Sequence, residues 1–207
     1  MFISKFTRID TMSWPGMFLS VVDVMPGEGD GENMDIVANV LRDDRDSIDG
    51  VMFRCEGEDP ENMEGFHNLI RHVRPRGIES VLITSGNNPD ALDDLVGAGY
   101  VTMVSFRLED RPNPDQLRSI AKTAYAGVRF TVAMVLDPKT VTAEDVVFTA
   151  DVTPGHSEFV LLMPRDPSPH FKKKDLNALV KSLKGRARNV RVLDYVRTTT
   201  GPVQQRD

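Results

Sequence analysis

Glycine and acid alternate between residues 27 and 33, which read Gly27, Glu28, Gly29, Asp30, Gly31, Glu32 and Asn33. Carboxylates at every second position offer hard oxygen, which suits Ca²⁺ or Mg²⁺ and repels phosphate. The plainer reading of Glu28, Asp30 and Glu32 is a solvated acidic turn, so no metal is assigned, and these three are the residues that would hold one. A second group follows at Cys55, Glu56, Glu58 and Asp59. Its carboxylates have the chemistry of an acid, a base or a ligand-orienting group. Thr84, Ser85 and Asn87 supply hydrogen-bonding side chains, and Arg107, Arg129 and Arg165 supply guanidinium groups of the kind that clamp anions. Cys55 is the single cysteine. It would be a nucleophile if Arg54 lowered its pKa, but a small buried thiol in a strand is the commoner case. His67 and His72 lie five apart on a helical pattern, a spacing that does not bring two ligands together, and His156 and His170 stand alone. No Gly-x-Ser-x-Gly, P-loop or Gly-x-Gly-x-x-Gly occurs.

The elements that must position these groups show in the apolar pattern. Strand-length runs begin at Met17, Gly50, Ser80, Val101, Arg129, Glu158 and Asn189, all rich in Val, Ile, Leu and Phe. Such near-continuous apolar strands suit a parallel sheet whose two faces are both buried. Helical stripes lie between them: Ile36, Val37, Val40 and Leu41; Phe66, Leu69, Ile70 and Val73; Leu92, Leu95 and Val96; Leu117, Ile120, Ala121 and Ala124; and Leu176, Leu179, Val180 and Leu183. Asn88-Pro89 opens one helix, which Gly97-Ala98-Gly99 closes, and Asn113-Pro114 opens the next, which stops at Gly127. Strand and helix alternate about six times along 207 residues. A full eight-unit barrel usually needs ~250 residues, so the expected fold is α/β, an incomplete (βα)6-type TIM-like barrel with mainly parallel strands, in one domain over residues 1–207. Ligand sites are then expected in the loops at the C-terminal strand ends, at residues 27–33, 54–60, 84–88, 106–110, 136–140 and 163–168.

Taken in order, these loops resemble the activating enzymes of the radical S-adenosylmethionine superfamily, the group that activates anaerobic ribonucleotide reductase and pyruvate formate-lyase. Residues 9–16 followed by MFLSVVDVMPG are similar to that family's lead into its first strand. Glu56-Gly57-Glu58-Asp59-Pro60 is similar to the Gly-Gly-Glu-Pro turn that meets the methionine moiety of the cofactor in the family. Thr84-Ser85-Gly86 resembles its Thr-Asn-Gly turn, Arg129-Phe130-Thr131-Val132 its Arg-Thr-Thr-Val strand, and Arg197-Thr198-Thr199-Thr200-Gly201 its ending. The family's cluster loop, Cys-x-x-x-Cys-x-x-Cys, aligns with residues 28–33, which hold no cysteine, and one thiolate does not hold a four-iron cluster. The family's Asp-x-Lys aligns with Arg107-Leu108-Glu109, both charges reversed, and Cys55 and Glu56 stand where glycines let the cofactor approach the backbone. The resemblance therefore implies a retained scaffold without the radical chemistry, a non-catalytic scaffold or partner subunit that carries no cofactor. The alternative is an enzyme or small-molecule binder with a strand-end pocket for S-adenosylmethionine or a related ligand, formed by Glu56, Glu58, Asp59, Thr84, Ser85, Asn87, Arg107, Arg129 and Arg165.

Composition agrees with a globular chain, 40% hydrophobic and 27% charged. The formal charge of −6 gives no global case for nucleic acid, which is not expected as a partner. Its distribution is uneven. Residues 23–64 hold fourteen acids against three bases, and residues 165–197 ten bases against three acids. If the first and last units were neighbours in a closing barrel, these charges would compensate each other; the sharper reading is a surface for a protein partner. The longest apolar run is far short of the ~20 residues that span a bilayer. The sequence starts MFISKFTRID without a secretory pattern, and a single cysteine forms no internal disulfide, so a cytoplasmic location is expected.

Overall fold

The computed structural model describes residues 1–11, 14, 16–137, 139–155, 157–163, 173–187 and 189–194. Its strands are β1 (Phe2–Asp10), β2 (Leu19–Met25), β3 (Gly50–Arg54), β4 (Glu79–Thr84), β5 (Met103–Leu108), β6 (Arg129–Val135), β7 (Glu158–Met163) and β8 (Asn189–Asp194). They form one sheet in sequence order. From β2 to β8 every pairing is parallel, and each crossover carries a helix: α1 (Met34–Asp43), α2 (Phe66–Val73), α3 (Pro89–Gly97), α4 (Pro114–Tyr125), α5 (Ala143–Val152) and α6 (Lys173–Ser182). Right-handed crossovers that always step the same way leave all helices on one face, which curls the sheet into a partial barrel. The six expected βα units are present, closed by β8. Two elements add to the expectation. The first is β1, antiparallel to β2. The second is α5.

Both sheet faces are apolar, as parallel strands require. Toward the helices, Val22, Val51, Phe53, Leu82, Val104, Phe106, Val132 and Phe159 enter the main core with Leu41, Leu69, Leu95 and Ile120. Each buried Val, Leu or Phe contributes about 1.5–3 kcal/mol. On the opposite, concave face the strands' alternate residues make two separate patches. One is Leu19, Val21, Met52, Val81 and Met103, joined by Trp14 and Ile83. The other is Ala133, Val135, Val160 and Leu162, joined by Leu193.

The expected caps are in place. Asn88 caps α3 by accepting from the Ala91 N–H at 3.1 Å, and Asn113 and Gln116 form a reciprocal capping box on α4. The stripes differ in detail. Ile36 is 60% exposed, and α1 instead buries Val37, Ala38 and Leu41. On α4 the buried face is Gln116, Ser119, Ile120 and Thr123, because Ser119 turns inward to donate to Gly86 O at 2.7 Å. The sheet's ends are β1 and β8, so the acidic early units and the basic late ones are not adjacent strands, and charge is balanced between sequential neighbours. Asp44 pairs with Arg8, Asp23 with Arg54, Arg186 with Asp151 and Arg191 with Glu158.

Candidate functional site

Three strand-end loops are tied together by one hydrogen-bonded chain. Strand β3 delivers Asp59 and a single 3-10 turn, Pro60–Asn62, beside the end of β4. Asp59 accepts from the Ser85 N–H at 2.5 Å and from the Ser85 hydroxyl. Asn87 Nδ2 donates to Ser85 Oγ at 2.6 Å, and Asn113 Nδ2 donates to Asn87 Oδ1 at 2.8 Å, which reaches the loop after β5. Thr84 follows Leu82 to the helix side of the sheet, where its hydroxyl donates to Glu61 Oε1 and accepts from the Gly86 N–H at 2.9 Å. Gly86 has a φ of +78°, and a Cβ there would lie 3.0 Å from the Phe106 ring, so the turn needs glycine on both counts.

Sequence reasoning missed Glu61. Its carboxyl is buried, and burial first, then the neighbouring Asp59 charge, push its pKa up to about 7 despite the Thr84 hydrogen bond. Glu61 Oε2 is buried without a hydrogen-bond partner. A carboxylate directly after a proline in a strand-end loop was the available signal.

The remaining expected site residues divide. Glu56 and Glu58 are exposed on their turn. Arg129 is at the start of β6, the end away from these loops, and donates to Glu79 at 2.5 Å. Arg165 lies outside the described residues. Arg107 alone of the set lines a trough on the concave face that is open to solvent. Polar β5 and β6 residues Ser105, Arg107 and Thr131 separate the two apolar patches there, with the Thr131 hydroxyl donating to Ser105 Oγ at 3.1 Å.

Residues 27–33 turn back onto β1. The Glu32 N–H donates to Ile3 O at 2.8 Å. A Cβ on Gly31 would lie 2.1 Å from that same oxygen, and one on Gly29 would lie 2.5 Å from the Phe2 ring. The alternating glycines are therefore explained by close packing. Among the described residues, no group of three His, Cys, Asp or Glu side chains is placed to hold a metal ion. Cys55 packs toward the helix-side core, and its thiol lies 3.4 Å from Glu56 O. Burial pushes its pKa up. Arg54, the neighbour that would have to activate it, points to the other face of β3 and pairs with Asp23. His72 pairs with exposed Asp35 at 2.8 Å, and His67 stacks edge-on to Tyr100, both surface roles.

The open sheet of consecutive parallel strands, backed by helices on one face, is a fold shared with solved structures. The chain is similar to a domain of pyruvate-formate lyase-activating enzyme from Bacteroides vulgatus ATCC 8482 at 14% identity and a TM-score of 0.57, covering 70% of this chain and 98% of that one. It is also similar to Streptococcus suis SuiB at 14% identity and a TM-score of 0.53, covering 79% of this chain and 43% of that one. Against SuiB bound to S-adenosylmethionine the identity is 13% and the TM-score 0.55, with 81% of this chain and 44% of that chain covered. The chain thus spans under half the length of SuiB. No protein-family profile and no curated protein matches it.

The residues present do not fit a four-iron cluster. Such a cluster needs several thiolates at one place, and the single cysteine faces away from the trough with a thiol that resists ionisation.

Proposed function

We propose that this chain is a cluster-less protein of the radical S-adenosylmethionine fold that acts as a non-catalytic scaffold or partner subunit, working by binding in place of radical chemistry. The observation that carries the reading is the seat where the fold's cluster loop would stand. There, residues 27–33 are stitched to β1 through Glu32 and Ile3, with Gly31 too closely packed for any side chain. The lone cysteine and the uneven charge along the chain, with exposed acids on the early units, agree with a protein partner in the cytoplasm. A second reading, a small-molecule binder or an enzyme of non-radical chemistry, is favoured by the trough on the concave face.

Anaerobic incubation with iron and sulfide, followed by iron and acid-labile sulfide analysis, tests the first reading, which expects far less than four irons per chain. Stoichiometric iron with a charge-transfer band overturns it. Calorimetric titration with S-adenosylmethionine separates the two readings: heat with a rise in Tm would transfer the function to the second.

A further inference from the structure

The strand-end rim is held shut around one buried acid. Glu61, on the 3-10 turn Pro60–Asn62, is 6% exposed, and the turn packs against α2, α3 and β4. One carboxyl oxygen, Oε1, accepts from the Thr84 hydroxyl, while Oε2 is buried without a partner. A protonated carboxyl tolerates that seat. An ionised one is a buried anion with a single hydrogen bond, beside a second carboxylate at Asp59. Asp59 cannot swing aside cheaply, because the Ser85 N–H and hydroxyl both donate to it.

The other charged groups around the turn do not offset that cost. His67, Arg71 and His72 on α2 are exposed, as are Asp90, Asp93 and Asp94 on α3. Glu79 is at the opposite end of β4 from Thr84, and Glu58 and Glu64 beside the turn are exposed. The neighbouring charge that acts on Glu61 is that of Asp59, and it is of the same sign. The segment is also free to yield. It is bounded by Gly57 and Gly65, at φ of +86° and +85°, each with open space where a Cβ would stand.

We propose that Glu61 is a proton-operated latch of the strand-end rim: protonated, it keeps its seat and residues 59–62 hold residues 84–86; ionised, it leaves for water and frees them. The bonds released are those from the Ser85 N–H to Asp59 and from the Gly86 N–H to Thr84 Oγ1. Loops at the carboxyl ends of parallel strands are where α/β folds hold their ligands, so the latch ties that rim to pH whatever binds there. A carboxyl that titrates at about 7 in its seat and at 4.5 in water binds its proton more tightly when seated. The open population therefore rises with pH, by about 30-fold from pH 5.5 to pH 8.

Amide hydrogen exchange of the intact chain, read by NMR and corrected for the intrinsic pH dependence of exchange, provides the test. Protection at Ser85 and Gly86 should fall by about 30-fold between pH 5.5 and pH 8 and level off above about pH 7. Protection at Val104 and Val132 in the core strands should stay higher at both pH values, which marks a local opening. In Glu61→Gln the protection of Ser85 and Gly86 should be the same at both. If that variant does not fold, the side-chain carboxyl carbon of Glu61 in the wild type gives the second readout and should titrate near pH 7. Protection that ignores pH, that falls equally in wild type and variant, or that matches Val104 would each overturn the proposal. A Glu61 carboxyl that ionises below pH 5 would overturn it as well.

Discussion

Replacing Glu61 with glutamine should flatten the chain's stability against pH. In the folded protein the Glu61 carboxyl is raised from an ordinary 4.5 to about 7, chiefly by burial and then by Asp59. A carboxyl with a raised folded-state pKa is bound to its proton more tightly in the native state. Its contribution to stability is therefore fully present below pH 4.5 and is lost as pH rises through about 7. At about 1.4 kcal/mol per unit, the loss amounts to about 3 kcal/mol between pH 4.5 and 8. Glutamine keeps an acceptor for the Thr84 hydroxyl but places an amide where Oε2 now lies without a partner. That buried N–H₂ costs about 1–3 kcal/mol, and it costs the same at every pH. The offset cancels in a double difference. Urea unfolding followed by circular dichroism at pH 5 and pH 8, for wild type and Glu61→Gln, gives that difference directly. The wild type should lose about 2–3 kcal/mol more than the variant on going from pH 5 to pH 8. An identical loss in both proteins would refute the reasoning and mean that Glu61 is ionised throughout.

Gly31→Ala should detach residues 27–33 from β1, because the new Cβ would lie 2.1 Å from Ile3 O; a loss of about 2 kcal/mol, with faster amide exchange at Glu32, is expected from urea unfolding and hydrogen exchange. Asn113→Ala removes the capping box of α4 and its bond to Asn87, and should lower stability by about 1 kcal/mol on the same assay. Asp23→Ala removes one carboxylate partner of the buried Arg54 guanidinium and should cost about 1.5–3 kcal/mol, whereas an exposed pair such as Arg118 and Asp115 should cost nothing measurable. Cys55 should react with a disulfide reagent far more slowly at pH 8 than a free thiol does, and the difference should vanish in urea, because burial raises its pKa.

How much of this was legible in the sequence depended on how plainly each segment repeats. Strands β2 to β7 show as apolar runs because both of their faces are buried, edge strand β8 shows through Val190, Val192 and Leu193 although Val192 is exposed, and α3 and α4 show through Asn-Pro starts that cap and fix the first turn. Strand β1 is an edge strand in which only Ile3 and Asp10 are buried, so Lys5, Thr7 and Arg8 break the apolar run that marks the others. Helix α5 hides because Val146, Val147, Phe148 and Val152 spread around its circumference and blur the stripe. At the site, Asp59, Ser85 and Asn87 do come together, but as partners of one another in a chain that stitches loops. Spacing shows that such residues share a rim and not whether their hydrogen bonds point inward or to a ligand. Arg107 lines a cavity for a reason visible only in three dimensions. Its position in β5 puts it on the concave face, in register with Arg191 at a distance of 84 residues along the chain.

Electron paramagnetic resonance of the anaerobically reconstituted, dithionite-reduced chain tests the central claim most directly, since it detects a reduced four-iron cluster whatever else binds. The account predicts no such signal, with or without S-adenosylmethionine, because Cys55 faces the helices and residues 27–33 are packed against β1. A signal integrating to about one spin per chain would contradict it.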